Sequence, residues 1–191
     1  VYEQLQIICS TLQKVWETPF VNDRLPSGKD SVVWFRQFIG ETWEKLNYPC
    51  SHKVIKQAFS YLQTREQALN PDEFVLLHGD AHGGNTLKEL SGNGFKLIDP
   101  DGIFYEKAYD LGVLMREWVD EYEQDPMKAG KERCAYLHHL TSVCEQTIWE
   151  WGYLQTVSTA FVLLQIGQEK TGRQMLRVAE CWSEETTDIM C

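Results

Sequence analysis

Asp80, Asn85 and Asp99 are the residues of this sequence whose types and spacing could do chemistry. Phe74 to Leu77 is a short apolar run that reads as a buried strand, and His78-Gly79-Asp80 follows at its end. Thr86 to Leu90 and Phe95 to Ile98 read as two further short strands, with Ser91-Gly92-Asn93-Gly94 as the turn between them, because Gly and Asn tolerate positive φ. An antiparallel pair closed by that loop sets Leu90 opposite Phe95. Asn85 and Thr86 then come opposite Asp99 and Pro100, with directly opposed Cα atoms roughly 4.5–5.5 Å apart. Asp80 reaches the same end through Ala81-His82-Gly83-Gly84. Two carboxylates and an amide suit a hard cation such as Mg²⁺, which takes oxygen ligands and keeps positions for a phosphate. With one acid left off the metal as a base, this is the layout that phosphoryl transfer needs.

Other residues near this end carry weaker signals. His82 lies inside the loop, where it could contact a phosphate or an acceptor, or only shape the backbone. Gly83-Gly84 could cradle a phosphate, but two glycines more simply let the loop close between Asp80 and Asn85. Asp80 as a nucleophile forming an aspartyl phosphate is the alternative to Asp80 as a base. Farther on, Cys134, His138, His139 and Cys144 invite zinc, since Cys134 and His138 are one helical turn apart. No CxxC pair supports that, and packing is the plainer reading.

His78-x-Asp80-x-x-x-x-Asn85 followed by Ile98-Asp99-x-x-Gly102 resembles the catalytic loop and metal-binding segment of the aminoglycoside phosphotransferase family, relatives of the protein kinases. Ala108-Tyr-Asp-Leu-Gly-Val-Leu-Met-Arg116-Glu117 is also similar to that family, as is Trp149-Glu-Trp-Gly-Tyr153 with Val157-Ser158-Thr159. Among subfamilies the likeness is greatest to the streptomycin 6-kinase and hydroxyurea-type kinases, from about Leu5 onward. The resemblance implies a mainly α (α+β) fold, the helical C-terminal lobe of a protein-kinase-like fold with a small catalytic β-hairpin. It implies ATP and Mg²⁺ as cofactors, Asp80 as the base, and Asn85 and Asp99 holding Mg²⁺ on the nucleotide phosphates. His78 would pack under the metal segment, and His82 and Asp101 would face the nucleotide. Asp101, in a Pro100-Asp101 pair where many kinases have one aromatic residue, could also face a second metal position or the acceptor, or cap the turn. Asp110 would start a helix and brace the catalytic loop; its plain alternative is an ordinary N-cap. The acceptor would be a hydroxyl of an aminoglycoside-like antibiotic or another small polar molecule. A choline-, homoserine- or macrolide-type kinase and a non-catalytic kinase-like binding module are the competing readings. No Gly-rich loop precedes the hairpin and no Val-Ala-Ile-Lys strand occurs, so the N-terminal β lobe is expected to be absent from this chain and the fragment alone inactive. An isolated lobe would expose its interlobe face, a route to self-association.

The 191 residues are 43% hydrophobic, enough for a single domain over 1–191. Within it, 1–70 is expected to be helical, 74–102 to hold the catalytic loop and metal-binding hairpin, and 108–182 to be helical. A formal net charge of −10 argues against nucleic acid and favours a neutral or cationic acceptor, or serves solubility alone. The run Glu117, Asp120, Glu121, Glu123 and Asp125 is a solvated face or meets ammonium groups of the acceptor. Six cysteines without CxxC spacing read as reduced thiols and a cytoplasmic location. No run approaches the ~18 apolar residues of a membrane span.

Hydrophobic spacing supplies the frame that must position the site. Leu5, Ile8, Leu12 and Val15/Trp16 predict a helix over Tyr2 to Glu17. After a loop from Pro19 to Gly28, Asp30 or Ser31 can cap a second helix with Phe35, Phe38/Ile39, Trp43 and Leu46 inward. Ser51 can cap a third to about Leu69, ended by Asn70-Pro71. A loop is expected from Gly102 through Lys107, then a helix from Asp110 with Leu111, Leu114/Met115 and Trp118 buried. Pro126 opens a helix to about Leu140. Ser142-Val-Cys-Glu145 reads as a capping box for the next, whose segment Ser158 to Ile166 is expected to be the buried centre of the lobe. Gly167 stops it, Thr171 to Trp182 is the last helix, and the tail is expected to fray.

Overall fold

The structure, a computed structural model, describes residues 1–19, 28–92 and 94–184. Most of the expected Pro19–Gly28 loop, Asn93 of the expected turn and the expected frayed tail lie outside the described residues. Helix α1 (Tyr2–Trp16) buries Leu5, Ile8, Cys9, Leu12 and Trp16, the stripe its spacing predicts. Helix α2 (Gly28–Lys45) begins before Asp30 and Ser31, so neither residue caps it; Asp30 lies in the first turn, where a carboxylate faces the positive end of the helix dipole. Helix α3 (His52–Gln67) starts after Ser51 as expected, but Ser51 does not cap its own helix. Its N–H and its hydroxyl both donate to Glu180, at 2.7 and 2.6 Å.

Strand β1 (Val75–Leu77) pairs antiparallel with a strand the sequence reading took for loop, β4 (Ile103–Tyr105), in the register Val75↔Tyr105, Leu76↔Phe104 and Leu77↔Ile103. A lone three-residue strand would leave its backbone groups unpaired, and Ile-Phe-Tyr supplies the β-branched and aromatic partner. Strands β2 (Thr86–Lys88) and β3 (Phe95–Leu97) form a second two-stranded ribbon. Their register is Thr86↔Leu97, Leu87↔Lys96 and Lys88↔Phe95, with the Glu89 N–H on the Gly94 carbonyl at 2.9 Å. This corrects the expected register by two positions. Gly94 pairs with Glu89 instead of sitting in the turn, because it has no side chain: a Cβ there would lie 2.9 Å from the Glu89 carboxyl. Leu90 is pushed into the loop, fully exposed. Asn85 therefore stands opposite Ile98, not Asp99, and the Ile98 N–H bonds the Asn85 carbonyl at 2.9 Å.

Helices α4 (Ala108–Arg116), α5 (Pro126–Thr141), α6 (Glu145–Gln165) and α7 (Glu169–Trp182) complete the described fold. Every residue of α6 from Ile148 to Ser158 is buried, half a helix earlier than the expected 158–166, while Val162 and Ile166 are exposed. Aromatic rings explain the shift. Trp151 lies among Phe35, Tyr105 and Tyr109, Trp149 against Trp182, and Tyr153 against Tyr61. Helices α4 and α6 cross closely through two glycines. A Cβ on Gly112 would meet that of Trp151 at 2.8 Å, and one on Gly152 would meet that of Met115 at 2.6 Å.

The expected capping box does not form. Helix α5 runs to Thr141, so Ser142 is consumed as its left-handed terminator (φ 58°), and α6 begins at Glu145. Helix α4 ends at Arg116, so Trp118 is not on it. Trp118 adopts a left-handed backbone (φ 50°) and is half-buried. Cys144 is disulfide-bonded, against the expectation of six reduced thiols; spacing along a chain is silent on long-range pairing. Cys9, Cys50, Cys134 and Cys181 are free. Among the described residues no helix is long and apolar enough to cross a membrane.

Candidate active site

The β1–β4 ribbon opens at one end into His78-Gly79-Asp80 and Asp99-Pro100-Asp101-Gly102. The N–H groups of Asp101 and Gly102 both donate to the His78 carbonyl, at 2.9 and 3.3 Å, and lock the two segments together. Gly79 is required there. Its φ is +88°, and a Cβ would lie 2.8 Å from that of Asp101. Beneath the junction sits Asp110, fully buried. Its carboxylate accepts from the Gly79 N–H at 2.7 Å, the His78 N–H at 3.2 Å and the Trp16 indole N–H at 2.9 Å. Burial pushes its pKa up, and these three donors act against that. Asp110 is thus not the cap of α4, which begins two residues earlier; it braces the loop and ties it to α1. His78 is buried beside it. Its Nδ1 accepts the Asp80 N–H at 3.3 Å, which leaves the hydrogen on Nε2 to bond the Ile98 carbonyl at 3.0 Å.

Asp80 is the half-exposed carboxylate of the loop. Oδ1 pairs with the Arg116 guanidinium. Oδ2 faces the Asn85 amide nitrogen and the His82 Nε2, each at 3.4 Å. Asn85 also donates to the Asp80 carbonyl at 3.0 Å. With its nitrogen committed to Asp80, its carbonyl oxygen is the atom left to meet a cation. His82 is used by the loop: Nδ1 accepts the Gly84 N–H at 3.0 Å, and its carbonyl accepts from the Asn85 N–H and the Thr86 hydroxyl. These bonds close the single 3-10 turn Gly83–Asn85. Asp99 leaves β3 in a left-handed conformation (φ 58°). Burial raises the pKa of Asp101, and the charges of Asp80 and Asp99 push it further up while His78 and Arg116 oppose them. The three aspartates thus share one electrostatic neighbourhood.

Among the described residues no three His, Cys, Asp or Glu side chains gather closely enough to hold a metal by themselves. The Cys134 thiol donates to the Glu145 carbonyl, and His138 bonds that of Val143. A cavity of about 630 Å³ lies at the far end of the β1–β4 ribbon, lined by Glu73, Val75, Glu106 and Thr147, away from the aspartates.

The sequence reading did not single out Arg116, Leu87 or Ile98. Leu87 and Ile98 lie on the face of the β2–β3 ribbon opposite the half-buried Phe95 and Leu97, next to Asn85, and are 50% and 41% exposed. Two exposed aliphatic side chains beside a polar site are a signal readable once the register is known. Arg116 closes the Ala108–Glu117 segment, but nothing in its local pattern names Asp80 as its partner.

The described fold is thus mostly helical, with the Asp80 loop carried between two small ribbons. The chain belongs to the aminoglycoside/hydroxyurea antibiotic resistance kinase family, whose model matches residues 1–167. Among solved structures it is similar to spectinomycin phosphotransferase, APH(9)-Ia. The AMP-bound complex superposes with a TM-score of 0.57 at 14% identity, over 98% of this chain and 67% of that one. The complex with ADP and spectinomycin gives 0.58 at 14% identity, over 97% and 67%. At that identity the likeness concerns the fold. No curated protein matches the chain by sequence.

Proposed function

We propose that this chain is the helical lobe of a kinase-like phosphotransferase that moves the γ-phosphate of ATP to a hydroxyl of an aminoglycoside-like antibiotic or a similar small polar molecule. The observation that carries this reading is the set of contacts around Asp80. One carboxylate oxygen is bonded to Arg116, and the other is turned toward Asn85 and His82 on a half-exposed loop. In this role Asp80 orients the acceptor hydroxyl and takes its proton as the acceptor oxygen bonds the γ-phosphorus and the bond to the β-phosphate oxygen breaks.

The donor set fits Mg²⁺. Asn85 offers a free amide oxygen and Asp99 a carboxylate, and Mg²⁺ is commonly held by one or two such groups together with substrate phosphates. Asn85 and Asp99 would hold it, and it would neutralise charge on the phosphates. Asp101, whose pKa is raised by burial first and by the charges of Asp80 and Asp99 after it, stands at the edge of this set. Leu87 and Ile98 offer the nucleotide base an apolar platform beside Asn85. The AMP and ADP in the similar structures and the net charge of −10, which suits a neutral or cationic acceptor, support the same reading.

The test is ADP release by the intact protein with a panel of aminoglycoside, aminocyclitol and other polyol acceptors, with and without Mg²⁺. Acceptor-dependent release that needs Mg²⁺ and falls at least ~100-fold in Asp80→Asn is expected. Release that persists in Asp80→Asn removes the base role. No release with any acceptor leaves a nucleotide- or ligand-binding module.

A further inference from the structure

Arg116 is the last residue of α4, and its guanidinium spans three elements. One terminal nitrogen donates to Gln155 Oε1 at 2.7 Å and to Thr159 Oγ1 at 2.9 Å, both on α6. The other pairs with Asp80 Oδ1. Gln155 is buried, and the arginine side chain keeps only 16% of its surface. The two anchors on α6 are neutral, so Asp80 is the carboxylate bonded to this charge.

The placement follows from the helix crossing. Arg116 is one turn beyond Gly112 on α4, while Gln155 and Thr159 are one and two turns beyond Gly152 on α6. Both glycines are where the two helices touch. A wider crossing would carry Arg116 away from Gln155 and Thr159, so the spacing of two packed helices is transmitted to one carboxylate oxygen. One terminal nitrogen has both of its hydrogens on α6, the other has one on Asp80, and Nε is buried without a partner, so the contacts of the fork hold Asp80 to α6. A lysine could not reproduce this, since it offers one nitrogen where the fork offers two in fixed geometry.

We propose that Arg116, anchored on Gln155 and Thr159, is a positioning residue for Asp80. It fixes Oδ1 so that Oδ2 keeps a single orientation toward the acceptor hydroxyl. This rests on the reading of Asp80 as the base. The experiment measures kcat and KM of the intact protein carrying Arg116→Met, Arg116→Lys, Thr159→Val, Asp80→Asn, and Asp80→Asn with Arg116→Met. Urea unfolding of each variant is followed alongside.

Arg116→Met should lower kcat about 100-fold, the cost of a misplaced reacting group, with KM for ATP little changed. Arg116→Lys should recover only part of that loss, and Thr159→Val should show a smaller loss of kcat at unchanged KM. The double variant should be no slower than Asp80→Asn, because an arginine acting through Asp80 has nothing left to act on. Wild-type kcat in folded Arg116→Met overturns the proposal. So does a double variant slower than Asp80→Asn by the full Arg116→Met factor, which would place the arginine directly on the phosphate. If Arg116→Met does not fold, Arg116→Lys and Thr159→Val decide, and wild-type kcat in both overturns it. Turnover retained in Asp80→Asn overturns the base reading as well; turnover lost there but untouched by the Arg116 variants overturns the positioning role alone.

Discussion

Arg65 and Arg116 are both largely buried arginines bonded to carboxylates, and the surroundings of their partners differ. Arg65, on α3, donates to Glu150 at 2.5 Å and to Glu106 at 3.3 Å. Glu106 also accepts from the Trp151 indole at 2.6 Å, and Glu150 from the Gln146 amide at 3.1 Å. Both acids are spent inside the protein, and the cluster joins α3, α6 and the β4–α4 junction. Arg116 has neutral anchors and one acid, and that acid is half-exposed on a loop. The same guanidinium fork serves as a rivet where each carboxylate oxygen already has a donor, and as a mount where the carboxylate it holds is half-exposed.

Substitutions can break that contrast. The largest effect expected is on turnover. Asp80→Asn should cut kcat by a factor of about 100 to 10,000, the usual weight of general-base catalysis, with a smaller loss of stability than Arg65→Met because Asp80 is half-exposed and the amide oxygen can still accept from Arg116. The mirror experiment is Arg65→Met. It leaves buried Glu150 and half-buried Glu106 without their counter-ion and should cost about 3–5 kcal/mol of stability, read from urea unfolding, with kcat per folded molecule retained. Equal loss of activity in the two variants would erase the distinction between rivet and mount.

Gly79→Ala sharpens the mount itself. The left-handed backbone and the contact with Asp101 should cost about 1–3 kcal/mol, with kcat falling further than stability because the strain sits next to Asp80. The smallest effect expected is a pH dependence of the rivet. Burial raises the pKa of Glu106 above its unfolded value, so its contribution to stability is complete below about pH 4.3 and is lost as pH rises through the folded pKa. Glu106→Gln should therefore gain stability relative to wild type between the ordinary glutamate range and neutrality. Urea midpoints of the two proteins across pH 4 to 8 check it, and parallel curves would mean that Glu106 does not titrate differently on folding.

The legible parts of the sequence were those with a local period or a fixed offset. Helix α1 showed its stripe, Pro126 marked the first turn of α5, and His78, Asp80, Asn85 and Asp99 stood at recognisable spacings. Helix α6 was misjudged in extent because a segment buried on all sides has no polar face to set a phase. The β2–β3 register was missed because two overlapping four-residue windows each contain Gly and Asn, and only the fit of Glu89 over Gly94 chooses between them. Strand β4 was missed because three residues carry too little pattern and its partner is 28 positions away. Asp110 was legible as a residue of the loop's support, but not as a brace without a cap, since its donors come from Trp16, His78 and Gly79. Arg116 depended wholly on contacts 36 to 43 residues distant.

Asp110 also ties the position of the Asp80 loop to the first helix. The carboxylate that receives the Trp16 indole receives the two amides leading into the Asp80 loop, so a sliding or tilting of α1 would reach His78 and Gly79 through one pair of oxygens. Whatever leans on α1 thereby acquires leverage over the loop from a distance, and a ring at the end of a helix becomes a handle on the segment that leads to Asp80.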